Sequence, residues 1–221
     1  MKKAILKLSN IPLKPHQIHK LRGFVGNLFK EHDLIHNHDL ESGKVIYRYP
    51  LIQFKLIDRT PSILCITEKA VAVFHDLFMK LDAVSIDGID IPVFEKDLKV
   101  EEVEFGYSDE TFVYEFQSPW IGLNQKNYAK YENTPDKAGR KDLLKRILTG
   151  NILSMSKFLD YRLTPDQTIR TDLKVKPGPV KLKGKSLLGF RGVIKTNFMI
   201  PDHLGLGKSV SRGFGVVKKL L

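Results

Sequence analysis

A single cysteine, a single tryptophan and the lack of any run of eighteen apolar residues exclude several classes of protein at once. One cysteine, Cys65, rules out an internal disulfide, so the fold must rest on burial and hydrogen bonding. It lies in the apolar run 62–66 and reads as a small buried hydrophobe. Without a long apolar run, no membrane-spanning helix is expected. The opening residues regain charge at Lys7, too early for the core of a signal peptide. The chain is therefore expected to be cytoplasmic.

Acidic residues are scarce in the second half. Residues 1–110 carry 15 Lys and Arg against 17 Asp and Glu, a net −2, whereas residues 111–221 carry 21 against 8, a net +13. From Leu173 onward, 11 basic residues face the one acid Asp202. So one-sided a half attracts polyanions and steers them in. A membrane surface would need an amphipathic basic helix or a lipidation signal. The basic segments here read as strands and loops, so nucleic acid ranks first and no membrane partner is expected. At 42% hydrophobic and 28% charged, the chain has the composition of a globular protein.

Residues 3–8 read as a strand. Pro15 suits a first helical position, and Ile18, Leu21, Val25, Leu28 and Phe29 recur at helical spacing, predicting a helix that ends near His32 and Asp33. Residues 45–49, 51–56 and 63–66 read as strands. Glu68 opens a second helix with Val71, Phe74, Leu77, Phe78 and Leu81 on one face, and more strands follow between Val84 and Glu104. The order β-α-β-β-α-β is that of a ferredoxin-like (RRM-like) unit. In the second half, 111–116 alternates as a strand and 132–139 is a loop. Leu143 to Phe158 forms a helical stripe with a possible break at Gly150 and Asn151. Strands are expected over 168–175, 180–187 and 189–200. The fold class is α+β, with lobes over 1–108 and 109–221.

The segment 205–215 packs Gly205, Gly207, Gly213 and Gly215, the hydroxyls of Ser209 and Ser211, and the cations Lys208 and Arg212 into eleven residues. Glycines allow close backbone approach, and amides, hydroxyls and cations bind phosphates. The segment contains Gly-Lys-Ser, but a nucleotide-binding P-loop needs glycine where Asp202 stands and a long helix after it. The plainer alternative is a glycine-rich hairpin whose glycines serve tight turns. Trp120 and Tyr128 follow no periodic stripe and are candidates for stacking on bases, whereas Phe24, Phe74 and Phe158 fall at helical spacing and read as core.

Five of the seven histidines fall between His16 and His38. RNA supplies its own nucleophile, the 2′-hydroxyl, so its cleavage needs only a base, an acid and stabilisation of the phosphorane charge. His36 and His38, beside Asn37 and Asp39, can provide the first two. A metal site built from His32, His36 and His38 lacks the spacing of a specific motif, and exposed loop histidines without function are the third reading. His16, His19 and His75 read as structural. His203, next to the glycine segment, is either an RNA contact or a turn residue.

The segment 205–215 resembles the glycine-rich loop of the RAMP superfamily. Together with residues 120–128, 148–157 and 36–38, it makes the chain similar to the CRISPR-associated endoribonucleases that cut repeat-RNA precursors into guide RNAs, in their b-type branch. The resemblance implies tandem ferredoxin-like lobes and metal-independent cleavage needing no cofactor, with 2′,3′-cyclic phosphate and 5′-hydroxyl products. It places the catalytic histidine in the His36/His38 segment, with His38 preferred, Tyr47 as helper and Lys30 for the phosphorane charge. Gly205, Gly207, Lys208, Ser209, Ser211, Arg212, Gly213 and Gly215 would hold the RNA. The implied partner is CRISPR repeat RNA, with self-association as a homodimer. A second reading is a non-catalytic RNA-binding subunit beside other CRISPR effector subunits, and a third is a general RNA-binding module.

Overall fold

The computed structural model describes residues 1–29, 48–182 and 184–220. The chain divides into two compact units, Met1–Val103 with Ser211–Gly213, and Glu104–Val210 with Phe214–Leu221.

In the first unit, β1 (Lys2–Leu8) leads through a 3-10 turn at Pro15–Gln17 into α1 (Ile18–Leu28). Next come β2 (Ile52–Ile57), β3 (Thr60–Ile66) and α2 (Glu68–Lys80). A small hairpin of β4 (Ala83–Ile86) and β5 (Ile89–Pro92) precedes β6 (Lys96–Glu102). The strands form an antiparallel sheet in the order β2-β3-β1-β6, with Ile5 opposite both Leu64 and Lys99. Leu6, Leu8, Phe54, Ile63 and Cys65 meet Leu21, Val25, Phe74 and Leu77 of the two helices in one apolar core. Thr67 caps α2 by accepting from the Ala70 amide.

Helix α1 stops at Leu28, short of the expected end. Phe29 leaves helical geometry at φ −119°, ψ 53°, its amide closes on the Val25 carbonyl at 3.0 Å, and its side chain is fully buried. Burying that ring turns the chain out of the helix. Residues 48 and 49, the described part of the strand expected over 45–49, form no strand, and Pro50 after them has no backbone N–H to give a ladder.

The second unit runs β7 (Gly106–Phe116), α3 (Gln125–Glu132), α4 (Lys137–Phe158), β8 (Thr171–Leu182), β9 (Lys185–Met199) and β10 (Val217–Lys219). Its sheet order is β10-β7-β9-β8, the same alternation as in the first unit. The connection from β9 to β10 holds the glycine-rich segment and one 3-10 turn, Val210–Arg212, where the first unit has α2. Both sheets have ferredoxin-like order, and no helix among the described residues is long and apolar enough to cross a membrane.

Three expectations here are corrected. Helix α4 runs unbroken through Gly150 and Asn151, because Leu144, Leu148, Ile152 and Met155 bury one continuous stripe across them. Strand β8 runs through Pro177, Gly178 and Pro179, because it is an edge strand and needs ladder bonds on one side only. Phe158, read as core, is 42% exposed at the last turn of α4, beyond the end of the buried stripe.

Candidate nucleic-acid interface

Residues 205–210 and 214–215 of the glycine-rich segment are held in place from within the second unit. The Leu206 amide donates to Gly215 O at 2.9 Å, Lys208 to Ile121 O at 2.9 Å, and Gly215 to Pro119 O at 2.9 Å. Leu206 and Val210 are buried and pin the loop to the core. The segment is thus not a plain hairpin. It is a fold-back closed by a Gly205–Val216 bridge around a helical turn.

Two glycines are required by close approach. A Cβ on Gly207 would lie 2.6 Å from Trp120 Nε1 and 2.7 Å from Ile121 O, at a φ of +85°. A Cβ on Gly215, at φ +66°, would collide with the Leu206 carbonyl. Packing thus accounts for these two residues, and the polar side chains of the loop are the exposed Lys208 and the half-buried Ser209, Ser211 and Arg212.

Trp120 lies at the centre of this arrangement. Its indole is fully buried, stacks on Phe116 with ring centroids 5.7 Å apart and 3° between planes, and donates to Asn151 Oδ1 at 3.0 Å. Gly122 is also packed against its ring. The base-stacking role expected for Trp120 is therefore overturned, since a ring with no exposed surface cannot receive a base. Residues 120–128, 148–157 and 205–215 meet here: the first supplies the indole, the second its acceptor and the third the backbone laid over it. Asn151, read from sequence as an irregularity, is the polar anchor of that cluster.

Lys208 is exposed and borders two grooves of the second unit. One carries Asn127, Lys130 and Arg146. The other carries Tyr128, Lys185 and Leu187. Tyr128 is 47% exposed, as a stacking platform requires. A third groove, between α4 and β8, is lined by Lys137, Lys141, Lys174 and Lys176.

Arg212 groups with the first unit, where burial lowers its guanidinium pKa. Arg22 of α1 is lowered as well, first by burial and then by the charge of Arg212. Arg22 Nε is buried without a hydrogen-bond partner. A like-charged pair with an orphaned buried donor has the chemistry of an anion site, and sequence reasoning missed Arg22 because it lies in an ordinary helical stretch. His16 and His19 are exposed. His203 takes a turn conformation at φ +70° and donates its amide to Val217 O at 2.7 Å. Lys30, His36, His38 and Tyr47 lie outside the described residues.

The family model of the Cas6b N-terminal domain matches residues 1–104, and that of the Cas6b C-terminal domain matches residues 106–220. The chain belongs to the Cas6b family. A crystal structure of Cas6b is similar at a TM-score of 0.92 with 35% identity, over 99% of each chain. The crystal structure of a CRISPR RNA processing endoribonuclease Cas6b is similar at 0.78 with 34% identity, over 100% of each chain. An uncharacterized protein of Methanocaldococcus jannaschii is 48% identical over 120 residues, which are 54% of this chain and 80% of that protein. A type IV Cas6 crRNA endonuclease, 13% identical at a TM-score of 0.61, shares the fold.

Proposed function

We propose that this Cas6b-family endoribonuclease cuts precursor CRISPR repeat RNA without a metal ion, using the RNA's own 2′-hydroxyl. An imidazole of the His36/His38 segment takes the 2′-hydroxyl proton, with His38 preferred. The 2′-oxygen bonds to the adjacent phosphorus as the bond to the 5′-oxygen breaks, and that leaving oxygen takes up a proton from the other histidine of the pair. The products are a 2′,3′-cyclic phosphate and a 5′-hydroxyl. Tyr47 assists, and Lys30 offsets charge on the phosphorane. Lys208, Ser209, Ser211 and Arg212 hold the strand, on a loop whose backbone course the glycines allow.

The observation that carries this reading is the full-length likeness, at 34% identity, to a CRISPR RNA processing endoribonuclease. Supporting it are the net +13 of residues 111–221, the exposed Lys208, and Arg22 beside Arg212 with an unused buried donor. A phosphate oxygen is the group that donor lacks.

The test is cleavage of repeat RNA in EDTA, comparing wild type with His36→Ala and His38→Ala. Cleavage persists in EDTA, and at least one substitution slows it by tenfold or more, about 1.4 kcal/mol of barrier. Loss of cutting in EDTA overturns the metal-free mechanism. Tight, salt-sensitive repeat binding with no product would make the protein an RNA-binding subunit instead.

A further inference from the structure

We propose that the groove between α3 and the β8–β9 hairpin is a slot for one unstacked nucleobase of the substrate RNA, with the Tyr128 ring as its stacking face. The proposal rests on the reading above that the substrate is RNA. The groove lies wholly within the second unit and holds about 950 Å³, ample for a nucleotide. Tyr128 forms one wall from α3, and Leu182 and Leu187 line the groove from the hairpin. Leu187 is 37% exposed, a large apolar side chain left open to solvent in the same groove as the still more open Tyr128.

The rim decides between occupants. Lys185 and Ser186 come from the hairpin, and Lys208 and Ser209 from the glycine-rich loop. No acidic side chain lines the groove among the described residues. An apolar protein ridge would fill the walls but leave both lysines unmatched. An acidic peptide would match the lysines but bring carboxylates to apolar walls. A nucleotide uses both features, since its base has flat apolar faces and its phosphates are anionic. The occupant must be unpaired and splayed out, because a base inside a duplex already has both faces stacked.

The test places 2-aminopurine at each successive position of the repeat RNA that the protein cuts. Fluorescence on binding is read for wild type, Tyr128→Ala and Tyr128→Phe, with Leu187→Glu as a second variant in the same groove. The expected result is quenching at one or two adjacent positions for wild type and Tyr128→Phe, lost in Tyr128→Ala and Leu187→Glu. An abasic nucleotide at the responding position weakens wild-type binding about tenfold, Tyr128→Ala weakens the intact RNA by as much, and the two together do little more. A merely structural tyrosine would weaken intact and abasic RNA equally, so the effects would add in full. That outcome, or the absence of any Tyr128-dependent position in an RNA that wild type binds and cuts, overturns the slot and leaves the parent reading standing. Tyr128→Ala that binds RNA normally but no longer retains a protein component assigns the groove to a protein and overturns it too. If wild type neither binds nor cuts repeat RNA, the parent reading falls, and the slot with it.

Discussion

The indole nitrogen of Trp120 donates a 3.0 Å hydrogen bond to Asn151 Oδ1, joining the segment that follows β7 to the middle of α4 beneath the glycine-rich loop. Because Gly207 lies directly over that nitrogen, the pair sets the height at which the loop presents Lys208. Replacing Asn151 by Ala leaves a buried N–H unsatisfied, at about 1–3 kcal/mol. For a chain of this size, a thermal melt should show a Tm lower by roughly 2–4 °C for each kcal/mol. Asn151→Asp keeps an acceptor oxygen and should recover most of the loss.

The glycines make a contrast of sign. Gly215→Ala forces a methyl group into the Leu206 carbonyl at positive φ and should cost about 2 kcal/mol or more in denaturant unfolding. Gly150 is exposed in mid-helix, and a Cβ there meets nothing within 4 Å. Gly150→Ala should stabilise by about 1 kcal/mol. If both lowered stability equally, the packing account of the loop would fail.

Lys55 is fully buried on β2, with Nζ donating to Gln53 Oε1 at 2.7 Å. Burial, and then the charge of Lys3, hold its pKa well below the usual lysine value. A depressed ammonium pKa means that the folded state pays its largest penalty at low pH. The penalty shrinks as pH rises from the folded pKa toward the unfolded value of about 10.4. Lys55→Met should therefore raise stability at pH 7 by about 1–3 kcal/mol, with an advantage that fades as the pH approaches 10. A constant advantage across that range would refute the electrostatic cause.

Glu101 behaves in the opposite sense. Hydrogen bonds from Lys3, at 2.8 Å, and from Lys99 pull its pKa down to about 2. Its stabilisation is present above its ordinary carboxyl range near pH 4.5 and is lost as pH falls toward 2. Because its side chain is 29% exposed, solvent screening reduces the effect to roughly 1–2 kcal/mol. Glu101→Gln should show that loss at pH 7 and converge with wild type by about pH 2 in a melt series.

Much of the secondary structure was legible because burial is periodic. The stripes of α2 and α4 and the alternation in β7 state which face is covered. Helix α3 was not legible, since its eight residues QKNYAKYE bury only Tyr131 and leave no stripe to read. The Pro177-Gly178-Pro179 stretch read as a break because a sequence does not say which strand lies at an edge. Trp120 fell outside every stripe, so nothing pointed it inward. Its burial depends on Gly122, two residues on, and on Gly207, distant in sequence, each lacking the Cβ that would occupy its place.

The central claim is that the RNA's own 2′-hydroxyl breaks the chain. The most direct measurement is cleavage of a repeat RNA carrying a single 2′-deoxynucleotide on the 5′ side of the scissile phosphate. The account predicts that this RNA binds as tightly as the unmodified one and stays uncut, while the unmodified RNA ends in a 2′,3′-cyclic phosphate. Cutting of the deoxy-substituted RNA at the normal site, at a rate comparable to the unmodified one, would contradict it.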